Sequence, residues 1–269
     1  MTRRLSQARL AVLADSLSER DRQITEMVVR LRLISGKQLE RLFFADVELA
    51  ASRARLARRT CRRLVEQGVL GRLERRVGGV RAGAASFVYF DAPAAQRLVA
   101  YWRGEGLARP RAGYEPGQPF VRHRLGVTEC FVRLSEAERD GLLGLVDFQT
   151  EPMVPFTGLG GVRSVLRPDA FVRLNLDAAT ELHAFLEVDC GTESRGALAR
   201  KASAYVSAWR AGIPGPVFPR VLWITTTDRR AETISETCAT LPAEAWKLFA
   251  VATADRALEV LTTIPRSAA

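Results

Sequence analysis

Two short stretches of this chain carry acids at spacings that could do chemistry: LRPDAFVRL, with Asp169, and HAFLEVDCGTES, with Glu187 and Asp189. Successive side chains of a strand point to opposite faces. Ala170, Val172 and Leu174 therefore turn Asp169 away from a core, and Ala184, Leu186 and Val188 do the same for Glu187 and Asp189. Carboxylates spaced i, i+2 on one strand, opposite another on an adjacent strand, make an oxygen-rich pocket suited to magnesium or manganese. Such an ion can activate water and stabilise charge on a scissile phosphate. The plainer reading of the same three acids is a solvated row on the open face of a sheet edge.

Other chemistries have less to stand on. Cys61, Cys130, Cys190 and Cys238 are widely separated and only two histidines, His123 and His183, accompany them, so structural zinc, a disulfide framework and a histidine-cluster relaxase site are not expected. No G-x-x-x-x-G-K-[ST] phosphate loop occurs, and the GLGG run at 158–161 precedes a strand and reads as a turn. No small-molecule cofactor is implied. Thr192 and Ser194 read as helix caps and Glu193 as a first-turn acid. Tyr205 and Trp209 recur at helical spacing and read as core, while His123 reads as a capping or structural residue.

The acids need a scaffold, and from Phe120 onward the pattern is α/β. A helix over 121–138 precedes strands near 144–154, 164–174 and 182–190. Then come a helix over 194–210, a buried strand at 221–226, a helix over 229–239, a strand at 247–253 and a last helix near 254–262. The Gly- and Pro-rich segment 104–119 reads as a linker. The expected organisation is thus 1–103, a linker 104–119, and 120–269.

The first of these parts is where the positive charge lies. The chain carries 40 Lys and Arg against 30 acids, a formal charge of +10, and 25 of the 40 cations but only 12 of the acids fall in residues 1–124. Ile24, Met27, Val28, Leu31 and Ile34 form a helical stripe over 19–34, and Lys37–Phe44 makes a short second helix. A third spans 47–67, with Leu56, Thr60, Leu64 and Val65 on one side and Arg55, Arg58, Arg59, Arg62 and Arg63 on the other. Strands at 69–77 and 87–90 follow, joined by a glycine-rich tip, and a further helix is expected at 93–103. Helix, short helix, basic helix and hairpin is the order of a winged helix-turn-helix. Its arginines, extended by Arg72, Arg75, Arg76 and Arg81 on the wing, would neutralise phosphates of double-stranded DNA and could read guanine edges. A solvated face in a chain that uses arginine everywhere is the plainer alternative.

The second part resembles the PD-(D/E)xK nuclease superfamily of restriction-endonuclease-like folds. Pro168-Asp169 matches its first acidic position and Glu187-Val188-Asp189 its E-x-K, with Asp189 where the lysine would stand. The resemblance implies that Lys201, on the following helix, takes the lysine's part in steadying phosphorane charge. It also implies that Glu129, in RHRLGVTEC, joins Asp169, Glu187 and Asp189 around Mg or Mn. More narrowly the chain is similar to the replication-relaxation family of bacterial plasmids and mobile elements. That similarity rests on the winged helix, His123-Arg124-Leu125 with Glu129, Arg167-Pro168-Asp169-Ala170, Phe185 to Ser194, Lys201 and Tyr205. It implies a part in replication or DNA relaxation and no settled reaction.

Two readings therefore stand: a metal-dependent DNA-nicking or cutting enzyme, and a non-catalytic DNA-binding replication accessory or regulator on a degenerate nuclease fold. No apolar run reaches eighteen residues and the first residues lack a signal peptide's apolar block, so a cytoplasmic protein without membrane partner is expected. Winged-helix proteins often pair, which leaves a homodimer open.

Overall fold

The computed structural model describes residues 6–79, 83–106, 117–158, 161–212 and 217–263, and at 74–79 and 83–85 the path of the backbone alone. Most of the 104–119 segment lies outside them. The chain is mixed α/β and divides into two compact units, Met1–Val132 and Arg133–Ala269. Among the described residues no helix is long and apolar enough to cross a membrane.

The first unit begins with α1 (Gln7–Ser16) and α2 (Glu19–Leu31). A reciprocal capping box starts α2: Ser18 accepts from the Asp21 amide, and the Asp21 carboxylate accepts from the Ser18 amide. The helix was expected to run on to Ile34, but it ends at Leu31, with Arg32 at φ 67. Ile34 is buried instead on β1 (Leu33–Ser35), whose pairing with a distant strand outcompetes another half turn of helix. Ser35 and Gln38 form a second capping box for α3 (Gly36–Phe43). Then follow α4 (Ala50–Glu66), β2 (Leu70–Gly79), β3 (Gly83–Asp91) and α5 (Pro93–Trp102). The sheet order is β1-β3-β2, antiparallel throughout. Helix α6 (Gln118–Arg139) belongs to this unit as far as Val132, and its Val121 packs with Leu33, Leu73 and Val88.

The buried stripe of α4 differs from the expected one. Ala57, Cys61 and Leu64 face inward, whereas Leu56 is 40% exposed. Two small residues a turn apart let the helix come close to its neighbours, and the stripe rotates to use them.

The second unit is built on a five-stranded mixed sheet of order β10-β9-β8-β7-β4. Its strands are β4 (Gly144–Thr150), β7 (Ala170–Asn175), β8 (Glu181–Asp189), β9 (Arg220–Thr225) and β10 (Phe249–Thr253). Strands β8, β9 and β10 run parallel, and β7 is antiparallel to both β4 and β8. A separate hairpin joins β5 (Val154–Thr157) to β6 (Arg163–Leu166). Two expected strands are thus each split in two. The first breaks after β4, where Glu151 takes φ 48. The second breaks at Arg167–Pro168, since proline cannot donate to a ladder.

Helices α7 (Arg195–Arg210) and α8 (Asp228–Ala239), a 3-10 segment Ala243–Leu248 and α9 (Ala257–Thr263) complete the unit. Both faces of the sheet are covered. Ala170, Val172, Leu174, Ala184, Leu186, Leu222 and Ile224 are buried on one. On the other, Phe185, Val221 and Trp223 form a core with Leu198, Ala202 and Tyr205 of α7 and Ile234 of α8. A strand buried on both sides has no open face on which to leave its acids.

Candidate functional site

On α4 the side chains of Arg55, Arg58, Arg59 and Arg62 are exposed. Their spacing of i, i+3, i+4 and i+7 places them on one stripe, across the helix from Ala57, Cys61 and Leu64. None of the four makes an ion pair among the described residues. Arg72, on β2, is exposed as well and lays its guanidinium 4.5 Å from the centre of the Phe87 ring. Of the remaining arginines expected beside it, Arg75 and Arg76 lie on β2 and Arg81 falls outside the described residues.

Arg63 does something else. It reaches back to α2 and donates from Nη2 to Asp21 Oδ1 at 2.7 Å, where the carboxylate is buried. Burial pushes Asp21 upward, but the hydrogen bonds from Arg63 and Ser18 outweigh it and hold the group below its ordinary range. This pair stitches α4 to the start of α2. Glu129 is likewise engaged inside the first unit: it accepts from Gln38 Nε2 at 3.0 Å and from Arg41 Nη1 at 2.7 Å.

In the second unit the acids converge, although not as an open pocket. Asp169, just before β7, accepts from the Val188 amide at 2.7 Å, which holds its carboxylate against β8. Glu187 is 1% exposed and Asp189 3%. Glu187 accepts from the Tyr205 hydroxyl through one oxygen, and the Lys201 ammonium lies 2.5 Å from the other. Lys201 also sits 5.4 Å from the centre of the Trp223 ring and 3.9 Å from Glu193. Asp169, Glu187 and Lys201 are therefore brought to one place, and Tyr205 belongs to the group as well as to the core.

The electrostatics follow from this burial. Desolvation, then the nearby Asp169 charge, push Glu187 up from its ordinary 4.5 to about 8 against the opposing pull of Lys201 and Tyr205. For Lys201, burial disfavours the charged form, but Glu187 and Asp169 outweigh it and raise the ammonium to about 12.

Asp189 meets a cation that sequence reasoning missed. Arg230, on α8, donates to both of its oxygens, at 2.6 and 2.8 Å, and to the Glu193 carbonyl at 2.7 Å. The two residues lie 41 positions apart, and nothing in the TTTDRRAE segment marks its second arginine as an acid's partner. Ser194 caps α7, accepting from the Ala197 amide as expected. His183 packs edge-on against Phe171 beside Glu181.

A divalent ion needs several oxygen donors turned toward one open position. Both oxygens of Asp189 face Arg230, and those of Glu187 face Tyr205 and Lys201. Beside them is the buried indole N–H of Trp223, without a hydrogen-bond partner among the described residues and a donor that a cation cannot use. No group of three or more His, Cys, Asp or Glu among the described residues is disposed to hold a metal. The donor set as arranged is charge-compensated from within and does not fit such an ion.

Neither the curated proteins nor the solved structures contain a match to this chain. Residues 26–221, from within α2 to the start of β9, match the family model described as replication-relaxation, and this chain belongs to that family.

Proposed function

We propose that this protein binds double-stranded DNA through its first unit, a winged helix-turn-helix that lays α4 against the duplex, and acts in replication or relaxation of plasmid or mobile-element DNA. The observation that carries this reading is the stripe of Arg55, Arg58, Arg59 and Arg62, exposed on the side of α4 turned from its core and without an acidic partner among the described residues. The element order helix, strand, helix, helix, hairpin, with sheet order β1-β3-β2, supports it, because that frame offers its third helix to a groove and its hairpin to the flanking backbone. The family's description agrees with a role on DNA. The test is fluorescence anisotropy with a labelled duplex over a salt series. Arg59→Ala/Arg62→Ala is expected to weaken binding and to reduce the salt slope by about two units. An unchanged slope would overturn the choice of helix.

The second unit, read as a PD-(D/E)xK-like fold, serves in this proposal as a scaffold whose acids are held by Lys201 and Arg230. One observation favours the cutting alternative: Lys201 reaches Glu187 beside Asp169, the arrangement the resemblance implies. Incubating supercoiled plasmid with the protein and magnesium or manganese separates the two. The scaffold reading expects intact circles. Nicked circles that vanish with Asp169→Ala/Glu187→Ala would establish the enzyme.

A further inference from the structure

The chain reverses sharply where α4 ends. Gly68 takes φ 73; its amide donates to the Val65 carbonyl and the Val69 amide donates to that of Leu64, both at 2.9 Å. This is a Schellman closure, which glycine makes without strain. Strand β2 therefore starts beside the last turns of α4, and Arg72 comes to share a recess with Arg58 and Arg62, which lie one turn apart on the helix. The recess, of about 400 Å³, lies between α4 and the hairpin, and Glu66, Phe87 and Tyr89 also line it.

Arg72 differs from the arginines of α4 in being held. Tyr89 is its cross-strand partner, and Phe87 lies two residues before Tyr89 on the same face of β3. The Arg72 guanidinium carbon accordingly sits 4.5 Å from the centre of the Phe87 ring. That contact restrains a long side chain and supplies no oxygen acceptor, and Arg72 makes no hydrogen bond or ion pair among the described residues. A cation ordered in advance loses less entropy when a ligand arrives. Burial pushes the Tyr89 phenol above its usual value, so it adds no negative charge. Glu66 is one acid against the three arginines Arg58, Arg62 and Arg72, and the recess is positive. The guanidinium fork matches two oxygens of one phosphate.

Resting on the DNA-binding reading above, we infer that this recess seats one backbone phosphate of the duplex on Arg72, and that Phe87 is the positioning residue that holds the guanidinium ready for it. Phe87 acts through Arg72 alone, so no open face of its ring is required. Arg58 and Arg62 give the recess its sign and serve neighbouring phosphates of the same strand.

The experiment is fluorescence anisotropy with the full chain and a labelled paired duplex over a salt series. It compares the unaltered protein with Arg72→Ala, Phe87→Leu and the double variant, each checked for folding by circular dichroism. Arg72→Ala is expected to weaken binding about tenfold and to reduce the salt slope by about one unit. Phe87→Leu is expected to weaken it about threefold in the otherwise unaltered chain, and to have no further effect where Arg72 is already alanine. Phe87→Tyr keeps the ring and is expected to keep the affinity. An equal loss from Phe87→Leu in both backgrounds overturns the positioning role, because a merely structural ring would act without Arg72. Unchanged affinity and slope in Arg72→Ala overturn the seat and leave duplex binding by α4 standing. If millimolar inorganic phosphate at constant ionic strength then raises the Tm of the unaltered protein and not that of Arg72→Ala, the recess belongs to a free anion and the strand proposal is overturned in its favour. Absence of duplex binding by the unaltered protein at low salt overturns both this inference and the reading on which it rests.

Discussion

The guanidinium of Arg230 meets the carboxylate of Asp189 edge to edge, Nε to Oδ2 at 2.6 Å and Nη2 to Oδ1 at 2.8 Å. The same Nη2 reaches the Glu193 carbonyl, so one side chain ties α8 to the end of β8 and to the turn that leads into α7. Removing one member of a buried pair leaves the other charged and unpaired, which costs about 3–5 kcal/mol. Arg230→Ala is therefore expected to lose stability of that order in urea unfolding, and Asp189→Asn added to it is expected to restore part of the loss. A single-variant loss under about 1 kcal/mol would mean that water replaces Arg230 without penalty.

Glu187 sets a pH dependence of stability. Its folded value lies at about 8, above the ordinary 4.5, so between these pH values the folded chain holds a proton that the unfolded chain has released. Stability from this group is complete below about pH 4.5 and is lost as pH rises to about 8, with a limiting slope of about 1.4 kcal/mol per pH unit. Thermal unfolding from pH 5 to 8 is expected to show Tm falling for the unaltered protein and a flatter profile for Glu187→Gln. Parallel profiles for the two would remove Glu187 as the source.

Arg63 and its neighbours on α4 are expected to separate in their effects. Arg63→Ala leaves the buried Asp21 carboxylate with Ser18 alone, a loss of about 1–3 kcal/mol in stability. Its DNA affinity, measured at a temperature where it is folded, is expected to change less than that of Arg59→Ala/Arg62→Ala, which in turn keeps its stability. The reverse pattern would exchange their roles.

Metal provides a fourth check. Because the oxygens of Glu187 already face Lys201 and Tyr205 and those of Asp189 face Arg230, millimolar magnesium or manganese is expected to leave Tm unchanged, and chelator to leave it unchanged as well. A rise of several degrees with either metal would mean that Lys201 or Arg230 yields its place.

Much of the first unit could be read along the chain because its signals are local. Ser18 with Asp21 and Ser35 with Gln38 are capping boxes visible as short motifs, and the arginine spacing on α4 needs only the helical period. Where the reading slipped, a distant segment decided. Ile34 went to a strand because β3, more than fifty residues away, offered it a ladder at Tyr89. Leu56 came to the surface because Ala57 and Cys61 allowed a closer approach.

The second unit divides the same way. Residue order alone determined the alternation of β7 and β8 and the helix that carries Lys201, whereas the meeting of Asp169, Glu187 and Lys201 needed β7 to pair with β8 and α7 to pack over them. Whether those acids would face water or lie under a second layer depended on α7 and α8 folding back over the sheet, and a single strand's alternation carries no information about what covers its far side. Burial of both faces is what called for Tyr205 and Arg230 as partners, because a carboxylate removed from water must find its hydrogen bonds within the fold. The acids and Lys201 could thus be named from their spacing, whereas their partners Arg230 and Tyr205, and the state of charge of Glu187, were decided only by tertiary packing.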